Sequence, residues 1–222
     1  MIDNIQVEKE PKCKLFIYED FIKSYEKSVD LSMYTHIRAY HACRPIDIES
    51  YMINGIKAIG RKLAMEDALK RIKATYITED DVKKMFNKEW KNVDASDKKV
   101  WLAVNKEILI TDAGHYLIYG SEFINMLAMK LGCRDLLKNV GIPTIFICNI
   151  PLQDIKGSWL SDVEQAINRC SDDVSIYVDA VRPENIIEYE HPKEIPDPYY
   201  GFSKYKPNYS KLDMENKRTE IL

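Results

Sequence analysis

Two spacings of apolar residues run through the chain, and they lay out its elements. From Leu15 to Val29, the residues Phe16, Ile17, Phe21, Ile22 and Tyr25 recur among acids and lysines with helical spacing, which predicts a helix packed on one face. Leu31 to Tyr40 alternates loosely, as a strand does, and delivers His41 at its end. Pro45 then biases Arg44 away from helix, and Asp47 stands where it can cap a helix running to about Asn54. Gly55 stops that helix, and Ile56 returns to extended chain. A strand-to-helix corner of this kind holds polar side chains at the open edge of a sheet, where ligands bind. Residues 1 to 12 read as a flexible or edge-lying lead.

Two charged helices follow, Arg61 to Ile72 and, behind a Thr78 cap, Thr78 to Trp90, with acids in the first turn and lysines later as the helix dipole favours. They form a helical segment, 61–93, that reads as two amphipathic helices covering the sheet. Lys99 to Ile110 alternates and predicts one strand, or a hairpin turning at Asn105-Lys106. Gly114 to Tyr119 predicts another strand, after which Ser121 caps a helix through Phe123, Ile124, Leu127, Ala128 and Leu131 to Gly132. Asp135 to Val140 predicts a short helix closed by Gly141, then a buried strand over 144–150 and a helix from Ser161 to Cys170. Val174 to Ala180 and Asn185 to Glu190 predict two closing strands. Beyond His191 the chain changes to Pro192, Pro196, Pro198 and Pro207 interleaved with Tyr199, Tyr200, Tyr205 and Tyr209, too poor in aliphatics to build its own core. The expected organisation is one domain over 1–190 and a Pro/Tyr-rich tail over 191–222, docked on the domain or on a partner protein.

Composition narrows the class. With 222 residues, 45% hydrophobic and 30% charged, the chain suits one packed globular domain. A net charge of -3 gives no overall pull toward nucleic acid or anionic membrane. The five cysteines, Cys13, Cys43, Cys133, Cys148 and Cys170, are odd in number and unpaired in spacing, which argues against a disulfide framework or zinc ribbon and suits a reducing cytoplasm. The polar, acidic start does not read as a signal peptide, and no apolar run approaches the roughly 18 residues of a membrane span. His115 and His191 lack metal-ligand spacing, and no glycine-rich phosphate loop is present. Cys43 near His41 does not read as a nucleophile pair, because no Asp or Asn orienter for the imidazole is apparent.

The stretch Arg38-Ala-Tyr-His-Ala-Cys-Arg-Pro45, closing on Asn54-Gly55-Ile56, resembles the first signature of the ADP-ribosyltransferase superfamily in its poly(ADP-ribose) polymerase and DarT-like branches. Asp112-Ala-Gly-His-Tyr116-Leu-Ile-Tyr119-Gly-Ser121 resembles the second, a strand carrying a Tyr followed by a small or hydroxyl residue that opens a helix. The resemblance implies an α+β fold, a split and mostly antiparallel sheet with covering helices. It also implies transfer of ADP-ribose from NAD, as substrate, to a protein or nucleic-acid acceptor, in a toxin or antiviral defence setting.

On that resemblance, His41 holds the donor ribose and the Ala42 backbone meets the nicotinamide carboxamide. Tyr116 stacks on the ring, with Tyr119 as second choice because strand alternation sends the two to opposite faces. Ser121 fills the hydroxyl position, and Arg44 offers a bidentate cation for the pyrophosphate. The late strand that carries the family's Glu begins here Ser171-Asp-Asp-Val, so Asp173 is the first candidate acid, Glu122 the second and Glu184 the third. Ala42 also replaces a Gly found in many members. Three alternatives stay open: an inactive nucleotide- or partner-binding module of the same fold; an RNA 2'-phosphotransferase-like enzyme, which would need Arg38 and Arg182 beside Arg44; and a structural or antitoxin-like role in an obligate complex.

Overall fold

The computed structural model describes residues 13–25, 28–94 and 98–212, so the lead over 1–12 lies outside the described residues, as does the end of the tail. The fold is α+β with a mostly antiparallel sheet. Its centre is the pair β2 (His36–Cys43) and β5 (Thr144–Pro151), in register from His36 opposite Pro151 to Cys43 opposite Thr144. With β1 (Leu15–Phe16), β4 (Val100–Ala103), β6 (Ser175–Val178) and β8 (Ile186–Glu190) they form one sheet in the order β6-β4-β2-β5-β8. β1 runs parallel to the start of β2. A second, two-stranded sheet pairs β3 (Ile56–Lys57) with β7 (Ala180–Val181), and a third, β9 (Ile195–Asp197) with β10 (Ser203–Tyr205), belongs to the tail.

Helices cover both faces. Period two along β2 sends Ile37 and Ala39 to one side, where they pack with Phe146, Cys148, Ile176, Val163 and Ile167 under α1 (Tyr18–Ser24), α2 (Ile48–Asn54) and α8 (Gly157–Asn168). It sends Tyr40 and Ala42 to the other, where they meet Ala68, Phe86, Leu117, Leu127 and Ile145 beneath α3 (Arg61–Arg71), α4 (Glu79–Glu89), α5 (Ile108–Thr111), α6 (His115–Tyr119) and α7 (Glu122–Lys130). The caps read from sequence are present. Asp47 accepts from the Ser50 amide, Thr78 and Asp81 form a capping box, and Ser121 accepts from Ile124.

Four expectations about elements need correction. The helix over 15–29 is shorter, because Leu15 and Phe16 pair with His36 and Ile37 as β1 and α1 ends at Ser24 before a left-handed Tyr25. The strand or hairpin over 99–110 stops at Ala103, and Ile108–Thr111 is helical, with Leu109 buried on the α7 side. Gly114–Tyr119 is helix α6 and not a strand: Leu117, Ile118 and Tyr119 are all buried in succession, a burial pattern that a short apolar run leaves open between helix and buried strand. Helix α8 begins at Gly157, upstream of Ser161. The described part of the tail is docked, with Ile195 and Asp197 buried and Ile195 in the core beneath α6.

Candidate functional site

The corner after β2 is built by local signals. Asp47 starts α2, Gly55 ends it at φ 75, and the chain returns as β3 beside β7 in a different sheet from β2. The glycine is required twice over: its φ is unfavourable to L side chains, and a Cβ there would stand 2.2 Å from the Val181 carbonyl oxygen. The turn Pro183–Asn185, which carries Glu184, is drawn up against the same point, with Pro183 Cδ 3.2 Å from that Cβ position. Arg182 ion-pairs with Glu184 at 3.4 Å and Asp154 at 3.6 Å beside it.

His41 is half-buried on the α2 and α8 side of β2, opposite Phe146, whose ring stacks on Tyr51 of α2. Its Nδ1 lies 2.9 Å from the Trp101 carbonyl oxygen. Among the described residues the β2/β4 ladder registers at Tyr40 opposite Ala103, while β4 continues along β6 to Val100; the imidazole takes up the side of β4 that faces β2. A carbonyl only accepts, so Nδ1 carries the hydrogen and Nε2 presents a lone pair. Burial lowers the pKa of the ring, which holds it neutral. A neutral, orientation-locked acceptor suits a hydroxyl donor such as a ribose 2'-OH.

The remaining candidates do not gather there. Tyr116, Tyr119, Ser121 and Glu122 lie across the sheet from His41, on the side of Tyr40 and Ala42, because α6 and α7 pack on that face. Glu122 bonds His115 Nε2 at 2.6 Å, and that hydrogen bond holds its carboxyl below the usual range. Tyr116 is pushed up to about 12 by burial, with Glu122 adding to the shift, and its ring stands 4.2 Å from that of His115. Tyr119 is buried and donates to Asp197 at 2.6 Å. Asp173 is exposed beyond the rung of Ala103 and Ser175, past Tyr40 and away from the corner. Of the three acids named from sequence, Glu184 is the one brought to the corner.

Arg44 is corrected most plainly. It is 1% exposed, and its guanidinium donates to the carbonyls of Val140 (2.8 Å), Leu117 (3.0 Å) and Lys138 (2.5 Å) and to the Tyr205 hydroxyl (3.2 Å). Its own carbonyl accepts from Arg71 Nη2 at 2.7 Å. Four of its five N–H donors are thus spent on tying α6, the 134–140 turn and the tail to the end of β2, so it is a clamp and not an anion ligand. The set had no sequence signal, since three partners are backbone carbonyls. The same holds for Trp101, whose part in the site is played by its main chain.

The chain was compared with protein-family models, with curated proteins and with solved structures. It matches none of them. Among the described residues no group of three metal-ligating side chains comes together, and no helix is long and apolar enough to cross a membrane.

Proposed function

We propose that this protein transfers ADP-ribose from NAD to a macromolecular acceptor, with the donor ribose held at the His41 corner. The observation that carries the reading is the locked, neutral imidazole: Nδ1–H on the Trp101 carbonyl, Nε2 left as acceptor. A ribose hydroxyl donates to that nitrogen, and the short helix and glycine turn beyond it bring β3 and the Arg182-Pro-Glu184 turn to the same corner. In the reaction the bond between ribose and nicotinamide breaks with its electron pair leaving on nicotinamide, and positive charge develops on the ribose. The Glu184 carboxylate, carried to this corner on the Pro183 turn, would stabilise that charge, a role in which a preorganised anion contributes most. The acceptor nucleophile then bonds the ribose carbon and gives up its proton to a base or water. The setting, toxin or antiviral defence, and the cytoplasmic location belong to the same proposal.

The test is nicotinamide release from NAD by purified wild type beside His41→Ala, Glu184→Gln and Glu122→Gln, with and without cellular RNA, DNA and protein. Release that needs His41 and Glu184 but not Glu122 supports the corner. Release that survives His41→Ala refutes it.

One observation favours a second reading, a nucleotide-binding module without turnover: Arg44 is consumed by the clamp, and the tyrosines face the wrong side of the sheet. It predicts NAD binding that His41→Ala weakens, with no nicotinamide released under any condition. The phosphotransferase-like alternative needs cations that do not gather: Arg44 is consumed by the clamp, and Arg38, bonded to Asn149 at 2.7 Å, shares the Tyr40 face of β2, across the sheet from His41.

A further inference from the structure

On the other side of the Arg44 clamp, the turn Arg134–Asn139 and the docked tail enclose an open groove of about 510 Å3. Its walls include Lys138, Lys206, Lys211, Tyr200 and Tyr205, with Asp135 as the acid among them. Among the described residues, three cations to one carboxylate line the groove, in a chain whose net charge is -3. Behind the wall, Arg44 adds a charge that its hydrogen bonds satisfy but do not neutralise, because its four partners are three carbonyls and the hydroxyl of Tyr205. Lys138 is held by Asp135 (2.9 Å) and Asp197 (3.2 Å) and stiffens the wall. Lys206 is different: 71% exposed, it shares Glu194 with Lys204, and a surface pair of that kind is easily exchanged for a stronger anion.

A second groove, of about 430 Å3, shares Asp135 and Tyr200 with the first and is lined by Tyr76 and Arg134. The Arg134 guanidinium lies 4.0 Å over the Tyr199 ring. Tyr76 and Tyr200 are 68% and 50% exposed, and Lys138 Nζ lies 4.6 Å over one face of the Tyr200 ring, which leaves the opposite face for a base. Lysines beside exposed tyrosine faces match the two halves of a nucleotide, a phosphate and a planar base.

We propose that these joined grooves are a nucleotide-phosphate site distinct from the His41 corner, with Lys206 and Lys211 meeting the phosphate and Tyr200 and Tyr76 presenting stacking faces to the base. The ligand is a free nucleotide or a nucleotide within a single strand, which share this chemistry. The site does not depend on the transferase reading, since the clamp and the sheet separate it from His41.

Fluorescence anisotropy of the full chain with a fluorescent ADP analogue, and with short labelled single-stranded RNA and DNA, tests it. Wild type should bind at least one probe with an affinity that falls as salt rises, and inorganic pyrophosphate should compete. The double variant Lys206→Glu/Lys211→Glu, both on the surface, should weaken binding at least about tenfold, which corresponds to roughly 1.4 kcal/mol. His41→Ala should leave it unchanged. Binding of the ADP analogue without the oligonucleotides identifies a free nucleotide, and tighter binding of an oligonucleotide identifies a strand. With circular dichroism confirming the fold, three results overturn the proposal: no probe bound by wild type, binding indifferent to the double reversal, or binding lost in His41→Ala.

Discussion

Replacing Arg44 by Met tests the clamp directly. The change removes donors from three backbone carbonyls, those of Leu117, Lys138 and Val140, and from the Tyr205 hydroxyl, around a side chain that is 1% exposed. The Val140 and Lys138 carbonyls keep longer bonds of 3.3 Å from Arg71 Nη1 and the Tyr205 hydroxyl, whereas the Leu117 carbonyl loses its donor; at roughly 1–3 kcal/mol for an orphaned acceptor and a similar amount for each charge-assisted bond lost, the gross loss is several kcal/mol. Methionine no longer has to carry a charge out of water, which returns part of that loss and leaves a net destabilisation of about 3–5 kcal/mol. With a urea dependence of about 2 kcal/mol per molar, the unfolding midpoint should fall by roughly 1.5–2.5 M. Arg44→Lys separates the clamp from an anion site. Lysine keeps the charge but has one nitrogen, which cannot span carbonyls contributed by α6 and by the 134–140 turn, so it should lose most of the same stability. Urea titrations followed by circular dichroism read both variants. A loss below about 1 kcal/mol for Arg44→Met, or full rescue by lysine, would refute the clamp.

His41 gives a pH prediction. Its folded pKa lies below the ordinary 6.5, so between that value and 6.5 the unfolded chain binds more protons than the folded one, and stability rises with pH through that window and levels off above it. Acidification from pH 7.5 to 5.5 should therefore cost wild type stability that His41→Gln does not lose, as urea midpoints at the two pH values would show; parallel losses would contradict the buried neutral ring. Gly55→Ala should destabilise by roughly 2 kcal/mol or more, through a left-handed backbone and a contact 2.2 Å from the Val181 oxygen, whereas Gly157→Ala at the start of α8, with nothing within 4 Å, should gain about 0.5 kcal/mol. Thermal unfolding of the two variants ranks them, and a Gly55→Ala protein as stable as wild type would remove the tight-corner argument.

What could be read from the chain follows the range of the interaction that made it. Asp47, Gly55, Thr78 and Ser121 act within four residues of themselves, and each stands where the pattern placed it. The sheet's centre was legible too, because Thr144–Pro151 is an apolar run of strand length pressed between two layers. The Arg44 partners lie 73 to 161 residues away and are mostly main-chain atoms, so no spacing rule reaches them. Lys206 and Lys211 were visible only as part of a tyrosine- and proline-rich tail, and their value depends on where that tail docks.

Helix α6, five residues long, departs furthest from what the pattern predicts. Read as a strand, Gly114–Tyr119 would extend the sheet and set alternate tyrosines on its two faces; as a helix it lies flat on one face and turns Leu117, Ile118 and Tyr119 inward together. Gly114 shows why the helix wins. A Cβ there would be 2.7 Å from the Pro196 carbonyl, so the start of α6 is closed down on the tail, and Tyr119 then reaches the buried Asp197 carboxylate that caps the turn at Tyr199. The tail and α6 are thus one packing unit, joined through Arg44 to the end of β2. That unit takes Tyr116 and Glu122 away from His41 and brings them instead within reach of each other and of His115. The chemistry proposed at the corner must therefore be completed by residues from β3 and the Arg182–Glu184 turn, which is why Glu184→Gln, and not Glu122→Gln, is the variant that decides it.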